Sequence, residues 1–452
     1  MGSYYYQTCF GGIAALCLAL LSSQPTRKQQ VEQLQQQQEQ EQEQKQKQNG
    51  AKAAHEEEHP EANWYKAYAL AVAADWLQGS HLVSLYRDEH GLEAGVVLSL
   101  YMTDFIATAL SAYFIGFLAD KYGRKLYCMV YCVSYALSCF LTVVPVTPLL
   151  FLGRVLGGVS TSILFSVFES WMVANFRKNK LEEKACDLSR TFAATAVVNS
   201  LVAILMGFLG EVLVWVTGTR KTPFLVSVGL LWLCLQMIWS HWSENFGTSS
   251  SAESTPRQSL RSILKAPSIL VLALASTIFD SAMNLFVFYW GPALNSLHAS
   301  TSTAAGELPY GTINAGLMAA SMVGALAFNI IINKRIITYP QLSAGALLVA
   351  GLCFAKLAAG KTEAGAFWLF CLLEICTGVF GPCVSYLKGG LISDDSRTTV
   401  YSIMRVPFNV LAFVSLLVVK DNNNVGAVFA TCSLLLVASF TTTLAATWRG
   451  IL

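Results

Sequence analysis

The sequence has 452 residues, of which 54% are hydrophobic and only 13% are charged, and its formal net charge is +2. Soluble globular proteins carry about 25% charged residues, so this composition argues against a soluble enzyme and predicts a membrane protein. The near-neutral charge excludes a polyanionic partner such as nucleic acid. The twelve cysteines form no CxxC pair and mostly lie within apolar runs, so we expect no metal and no cofactor.

The chain begins with an apolar stretch, residues 1–23, that is long enough for one membrane-spanning helix. No Lys or Arg precedes it, whereas Arg27 and Lys28 follow it. A signal peptide has the opposite charge order, so we expect an uncleaved helix with its N-terminus outside, and a cleaved signal peptide is the alternative. Residues 24–63 are rich in Gln and Glu and predict a solvated linker.

Two sets of six apolar segments follow, within residues 64–242 and 268–452, and the polar stretch 243–267 separates them. Each segment is close to the length of about 20 residues that a helix needs to cross a bilayer. We therefore predict two six-helix bundles joined by a central loop. The predicted spans are 64–86, 94–118, 126–144, 148–173, 191–216, 223–242, 268–290, 312–332, 341–359, 366–392, 399–419 and 425–448.

The basic residues of the predicted loops alternate between the two sides of the membrane. Fifteen Lys and Arg fall on one side, including those around residues 121–125, and six on the other. Cytoplasmic loops carry the excess of positive charge, so the first side is assigned to the cytoplasm. The linker 24–63 and the C-terminus then also face the cytoplasm.

The two sets of segments resemble each other, which indicates an internal duplication. Arg154 and Gly158 stand four residues apart in the fourth core segment, and Glu374 and Gly378 do so in the tenth. Asp75 lies in the middle of the first core segment, as the aspartate at position 280 does in the seventh. Duplicated bundles related by a pseudo-two-fold axis place a binding site at the middle of the membrane.

The loop between the second and third core segments reads Gly-Phe-Leu-Ala-Asp-Lys-Tyr-Gly-Arg-Lys from Gly116. Gly116 permits close helix approach, and Gly123 permits a tight turn. Asp120 is placed to bind a helix N-terminus or to pair with Arg124. The loop resembles, position by position, the signature loop of the major facilitator superfamily. We predict a structural and gating role for these four residues.

Several polar side chains are predicted to lie inside the membrane, where an isolated charge is costly and should have a partner. Arg154 has two interpretations: it forms a salt bridge that locks two helices, or it belongs to an anion or proton-linked site. The acidic groups outnumber the arginines, which makes proton carriage possible for some of them. The predicted intramembrane residues are Asp75, Gln78, Asp104, Arg154, Glu169, Asp280, Glu374, Arg405 and Asn409.

Longer stretches resemble one branch of that superfamily, the molybdate-anion transporters. They are Ala-Ala-Asp-Trp-Leu-Gln-Gly around Asp75, the segment from Gly153 to Trp171, Phe-Val-Phe-Tyr-Trp-Gly-Pro from Phe286, and Met-Arg-Val-Pro around Arg405. The resemblance covers residues 65–447 and leaves the Gln-rich tract out. It implies the major facilitator fold, a small inorganic anion as partner, and molybdate uptake at the plasma membrane.

Molybdate is a tetrahedral dianion, and the planar donor fork of arginine suits such an oxyanion. We therefore hypothesise that Arg154 and Arg405 bind the substrate, with Asn409 and Gln78 as neutral helpers. The carboxylates predicted to couple protons or to balance charge are Asp75, Asp104, Asp280 and Glu374. We expect a monomer in the lipid bilayer.

Two other functions are open from the sequence. The first is transport of another anion or of an organic solute, which competition in an uptake assay would separate. The second is a membrane receptor or scaffold that keeps the fold without transporting. The intact loop from Gly116 and the buried charges argue against a scaffold, which needs neither. An intramembrane enzyme would need a nucleophile and base in a recognisable pattern, and the sequence offers none.

Overall fold

The computed structural model describes residues 3–22, 60–79, 81–178, 188–247, 264–301, 308–334, 337–360, 362–394, 397–419 and 425–452. Within these ranges all regular secondary structure is helical and no strand occurs. Most of the predicted linker 24–63 and the middle of the predicted loop 243–267 lie outside the described residues. The expected all-α class is confirmed.

The helices up to the predicted central loop comprise one N-terminal helix and six more. Helix α5 is interrupted at Phe165, so that it consists of two segments, Thr147–Leu164 and Val167–Lys178. The helices are α1 (Ser3–Ser22), α2 (Pro60–Gly79), α3 (Ala94–Tyr122), α4 (Arg124–Val143), α5 (Thr147–Lys178), α6 (Leu188–Thr217) and α7 (Thr222–His241).

The second half of the chain repeats the pattern with six helices. Proline occupies the first turn of α10 and also of α5 and α7, where its missing N–H costs no intrahelical hydrogen bond. The helices are α8 (Pro267–Thr301), α9 (Tyr310–Asn333), α10 (Tyr339–Ala359), α11 (Glu363–Leu391), α12 (Arg397–Val419) and α13 (Val425–Trp448).

The first predicted core span ends differently in the structure. The segment predicted at 64–86 is helical only to Gly79, and a distorted segment follows, made of Leu82–Ser84 and the π-helical Leu85–Glu89. Glycine is a poor helix former and is common where helices end, which accounts for the end of α2. Hydropathy does not detect the break, since the residues after it are also apolar.

Eleven helices of the described part of the chain are long and apolar enough to cross a membrane. The two core helices outside this group, α2 and α12, are also rich in polar side chains. Asp75 lies in α2, and Arg397 and Arg405 lie in α12. Charged groups in a membrane helix face the protein interior or a wet cavity, so these helices are expected beside the transport path.

The helices form two bundles related by a pseudo-two-fold axis. One cluster of buried apolar side chains lies among α2–α7 and another among α8–α13. Between the bundles, α3 packs against α12, and α6 packs against α9. In each pair the second helix of one bundle meets the fifth helix of the other, so the two contacts are equivalent under the two-fold relation. The expected two-bundle fold is confirmed.

Helix α1 packs on the second bundle, against α9 and the start of α11. The Tyr6 hydroxyl donates a 2.5 Å hydrogen bond to Glu363 Oε1, and His298 Nδ1 lies 3.0 Å from the other oxygen of Glu363. The indole of Trp368 donates to the Tyr5 hydroxyl at 3.0 Å. Glu363 begins α11, and the other end of α11 lies near Asp394, which contacts Arg124 of the loop from Gly116. The first turn of α1 is therefore at the end of the molecule opposite that loop.

Replacing Tyr6 by Phe should lower the melting temperature of the protein. Tyr6 is 1% exposed, and the change removes the hydrogen bond that its hydroxyl donates to Oε1 of the buried Glu363 carboxylate. Hydrogen bonds to charged groups contribute about 1.5–3 kcal/mol, so the loss of this one bond is expected to be measurable. Thermal unfolding followed by intrinsic fluorescence in detergent measures the shift. Tyr4→Phe is the matched control, because Tyr4 is 83% exposed; equal melting temperatures for both variants would contradict the docking of α1.

Candidate functional site

A cavity of about 300 Å³ lies between the two bundles. Its walls come from α2, α5 and α6 on one side and from α8, α9, α11 and α12 on the other. The walls are largely apolar, with hydroxyl and amide groups such as those of Asn199 and Thr377. The charged residues that line it are Glu169, Asp280, Lys388 and Arg405.

Arg405 is the cation of this cavity whose charge is least compensated by close contacts. Its guanidinium carbon lies 4.3 Å from the centroid of the Phe165 ring and 5.3 Å from that of Phe408. It forms no ion pair with any residue that the structure describes. Asp280 and Glu169 interact with it only over longer distances. A cation held by aromatic faces keeps its hydrogen-bond donors free for an anion in the cavity.

Asp280 lies on α8 and lines the same cavity as Arg405. It too forms no ion pair within the described ranges. One turn further along α8, the Asn284 side-chain nitrogen is buried and makes no hydrogen bond in the part of the chain that the structure covers. Of the predicted site residues, the structure therefore places Arg405 and Asp280 on the wall of the same cavity.

Arg154 lies elsewhere, within the first bundle. One of its terminal nitrogens is 3.8 Å from Asp104 Oδ1, and the other donates a 3.1 Å hydrogen bond to Thr142 Oγ1. A Cβ at Gly157 would lie 3.0 Å from Asp104 Oδ1, so glycine leaves room for the carboxylate. Neither Arg154 nor Asp104 lines the cavity between the bundles. Their arrangement corresponds to the salt-bridge interpretation of Arg154.

Asp75 and Gln78 belong to the same buried region of the first bundle. The Tyr135 hydroxyl donates a hydrogen bond to Asp75, and the Cys139 thiol lies 3.5 Å from Gln78 Oε1. The Gln78 side-chain nitrogen is buried and has no hydrogen-bond partner in the described part of the chain. These two residues face the network around α4 rather than the cavity.

Asn409 and Glu374 are buried in the second bundle and do not line the cavity. Asn409 is 2% exposed, and its side-chain nitrogen lacks a hydrogen-bond partner among the described residues. The Glu374 carboxylate is hydrogen-bonded to Ser321, which does line the cavity. The structure thus separates the predicted residues into a cavity group, a first-bundle network and this buried pair.

The loop between α3 and α4 joins the two bundles. Arg124 is fully buried and donates to Asp120 Oδ1 through Nε at 3.0 Å and through Nη2 at 2.9 Å. Its Nη1 lies 3.2 Å from Asp394 Oδ1 in the second bundle. The second oxygen of Asp120 accepts 2.9 Å hydrogen bonds from the backbone and the hydroxyl of Thr399 at the start of α12. Asp120 therefore caps α12, as the sequence suggested for a helix N-terminus.

Gly116, near the end of α3, and Gly123, between α3 and α4, are explained by space and by backbone conformation. A Cβ at Gly116 would lie 2.5 Å from the Thr398 carbonyl oxygen, so only glycine lets α3 approach α12. Gly123 has φ of +116°, which other residues rarely adopt, and the Glu244 carboxylate packs against it. The loop thereby holds the bundles together at one end of the molecule.

Further contacts between the bundles gather at the same end. Arg177, at the end of α5, donates a hydrogen bond to the Gly389 carbonyl of α11. Arg190 Nε donates to Asn333 Oδ1 at 3.1 Å, which joins α6 to α9. Lys388 Nζ lies 3.5 Å from Glu169 Oε1, on the boundary between this closed end and the cavity.

Sequence reasoning missed the part that Lys388 plays in the site. Its position at the end of an apolar segment marked it only as a loop charge. The available signal was that Lys388 lies more than one turn inside the predicted span 366–392. Phe165 was also missed, because an aromatic residue in an apolar segment carries no distinguishing mark.

Solved structures establish the fold. The human organic anion transporter TETRAN superposes with a TM-score of 0.63 at 17% identity and covers 85% of this chain and 100% of its own. The Escherichia coli fucose:proton symporter FucP gives 0.64 at 13% identity, over 85% and 98%. With two bundles around a central cavity, the molecule has the same fold as these two proteins.

Sequence comparison gives the family. A family model described as sugar transporters, 12 TM, matches residues 5–356. The molybdate-anion transporter of Xenopus laevis is 30% identical over 368 residues, 80% of this chain and 79% of the relative. That of Takifugu rubripes is 30% identical over 388 residues, 79% and 78% of the two chains. The chain belongs to the molybdate-anion transporter family, as the resemblance in the sequence predicted.

Proposed function

We propose that the protein carries molybdate into the cell across the plasma membrane by alternating access, with Arg405 as the residue that binds the oxyanion. The proposal rests on one observation above all: Arg405 is a half-buried cation that faces the central cavity and forms no ion pair with the described residues. A fixed charge of this kind is costly in a membrane unless an anion uses it. The names of the relatives supply the identity of that anion.

Arg405 would donate two parallel hydrogen bonds to oxygens of the anion. A guanidinium provides this geometry, whereas an ammonium acts as a point charge. Lys388 adds a second positive charge on the same wall, and the side-chain amide of Asn199 is a neutral donor on the opposite wall. We propose that Asn409, one turn from Arg405, and Gln78 assist when the helices move, since each has a buried side-chain nitrogen without a hydrogen-bond partner among the described residues.

We propose that the remaining predicted residues join helices, carry protons or balance charge rather than bind the cargo. Arg154, held by Asp104 and Thr142, would lock α5 to α3 and α4. Asp75 and Asp104 are candidates for proton carriage in that network. Asp280 would balance Arg405 when the cavity is empty. The carboxyl group of Glu374, hydrogen-bonded to Ser321 on the cavity wall, is the corresponding candidate in the second bundle.

We propose that the end closed by Asp120 and Arg124 faces the cytoplasm, because the excess of loop Lys and Arg lies on that side. The linker and the C-terminus are then cytoplasmic, and the first turn of α1 is outside. The hydrogen bonds and ion pairs that join the bundles in the described part of the chain lie toward the Asp120 end, which supports a state closed toward the cytoplasm. A monomer suffices, since one chain supplies all walls of the cavity.

A neutral sugar is the second candidate cargo, because the matching family model is described as sugar transporters. Aromatic side chains such as Trp64 and Tyr68 line the cavity and are able to stack on a sugar ring. Competition in cells that express the protein separates the two. Uptake of labelled molybdate should fall with excess tungstate or sulfate and should be unaffected by a hexose. Inhibition by the hexose, with no effect of either oxyanion, would replace the anion by a sugar.

A further inference from the structure

A second cation that lines the cavity, Lys388, forms an ion pair that joins the two bundles. Lys388, on α11 of the second bundle, lies 3.5 Å from Glu169 on α5 of the first bundle. Both side chains line the cavity, and they are 17% and 20% exposed. The ion pair therefore has one side on the cargo cavity and joins the two bundles.

The pair is built in a way that permits exchange of partners. The Glu169 oxygen nearest to Lys388 is buried but makes no hydrogen bond within the described ranges, so the interaction is purely ionic. The ammonium of Lys388 lies 4.9 Å from the centroid of the Tyr401 ring on α12. Such a ring face holds the ammonium in place without neutralising it, and a lysine side chain has a long flexible stem.

The position of the pair connects it to the closure of the Asp120 end. The residue after Lys388, Gly389, packs against α6: a Cβ there would lie 3.2 Å from Leu188 Cδ2. Its carbonyl accepts the hydrogen bond from Arg177. Movement of Lys388 away from Glu169 therefore acts on the segment of α11 that closes the cavity against α5 and α6.

We propose that the Glu169–Lys388 pair is a lock that the cargo opens, and that a divalent oxyanion in the cavity takes Lys388 from Glu169. The inference rests on the proposed function. A dianion attracts Lys388 and at the same time repels the Glu169 carboxylate. The attraction and the repulsion both favour separation of α5 from α11. A monovalent anion has half that charge and is satisfied by Arg405 alone. The lock thus favours divalent over monovalent anions.

The test uses Ser385→Cys, which places a cysteine in the cavity. The measured quantity is the rate at which this cysteine reacts with a membrane-impermeant maleimide added from the Asp120 side of proteoliposomes. In the otherwise unchanged protein, molybdate should increase the labelling rate, and nitrate at equal concentration should not. Glu169→Gln should raise the rate without any anion by roughly five- to tenfold, the effect of losing a largely buried ion pair. Lys388→Gln should do the same, with no further increase on addition of molybdate.

Two further variants separate the lock from a general loss of structure. The exchange of charges, Glu169→Lys with Lys388→Glu, should restore slow labelling in the absence of anion. Asp88→Asn is the matched control, because Asp88 pairs with Arg220 at 3.3 Å outside the cavity. Labelling of Glu169→Gln at the rate of the control would overturn the proposal, and so would acceleration by nitrate equal to that by molybdate.

Binding of labelled molybdate to the purified protein is measured in parallel. Binding by the parent, together with slow labelling of Glu169→Gln, contradicts the lock and leaves the proposed function intact. No binding by the parent contradicts the proposed cargo, and fast labelling of Glu169→Gln in that case still supports Glu169–Lys388 as a closure.

Discussion

Replacing Arg405 by Gln should weaken molybdate binding by roughly a hundredfold or more. Each hydrogen bond between a charged donor and an anion contributes about 1.5–3 kcal/mol, and the guanidinium is placed to make two. A factor of ten in the dissociation constant corresponds to about 1.4 kcal/mol, so the loss of both bonds removes at least two such factors. Equilibrium binding of labelled molybdate to the purified protein measures the change.

Two companion variants define what this result means. Arg449→Gln removes an exposed arginine near the C-terminus and should bind molybdate as the parent does. Arg154→Gln tests the sequence-based hypothesis that both arginines bind the cargo. Because Arg154 pairs with Asp104 away from the cavity, we expect it to lower thermal stability more than affinity. An unchanged dissociation constant in Arg405→Gln would remove this residue from the site.

The second large effect is expected at the crossing of α9 and α11. A Cβ at Gly378 would overlap the Ser321 carbonyl oxygen and would lie 2.8 Å from the Ala325 nitrogen and 3.0 Å from Gly324 Cα. A Cβ at Gly324 would in turn overlap the Ile375 carbonyl oxygen. The obstacles are backbone atoms, which cannot rotate away. Small residues allow such close approach of membrane helices, where packing rather than the hydrophobic effect drives association.

Gly378→Ala should therefore destabilise the protein by about 1–3 kcal/mol, the range for overpacking, although alanine is the better helix former. The measurement is the melting temperature in detergent, with the yield of monodisperse protein as a second readout. Gly390→Ala is the matched control on the same helix, because a Cβ there meets nothing within 4 Å. If both variants melted at the same temperature, the close crossing of α9 and α11 would be wrong.

The sequence predicted the helices, the two bundles and the loop at Gly116 because each of these depends on local information. Hydropathy over about 20 residues identifies a membrane helix, and a motif with two glycines and two charges identifies a loop. The α2 break after Gly79 was missed, since apolar residues continue beyond it.

The grouping of the site residues could not be predicted in the same way. Arg154 and Arg405 have equivalent depth in their segments, and nothing local distinguishes them. The direction of a side chain depends on the rotation of its helix, which advances by about 100° per residue. An error of one or two residues in a helix boundary therefore turns a side chain from the cavity into the bundle. The opposite error concerns Lys388, which was counted among the loop charges. Its long stem brings the charge from a helix end to the cavity wall.

The central claim is that this chain moves molybdate through the cavity at Arg405, and flux into liposomes tests it most directly. Liposomes that contain the purified protein should accumulate labelled molybdate with a rate that saturates, above the rate of empty liposomes. Liposomes with equal amounts of Arg405→Gln should show no saturable component at the same concentrations. A parent protein that is folded and monodisperse yet gives only the flux of empty liposomes would contradict the account.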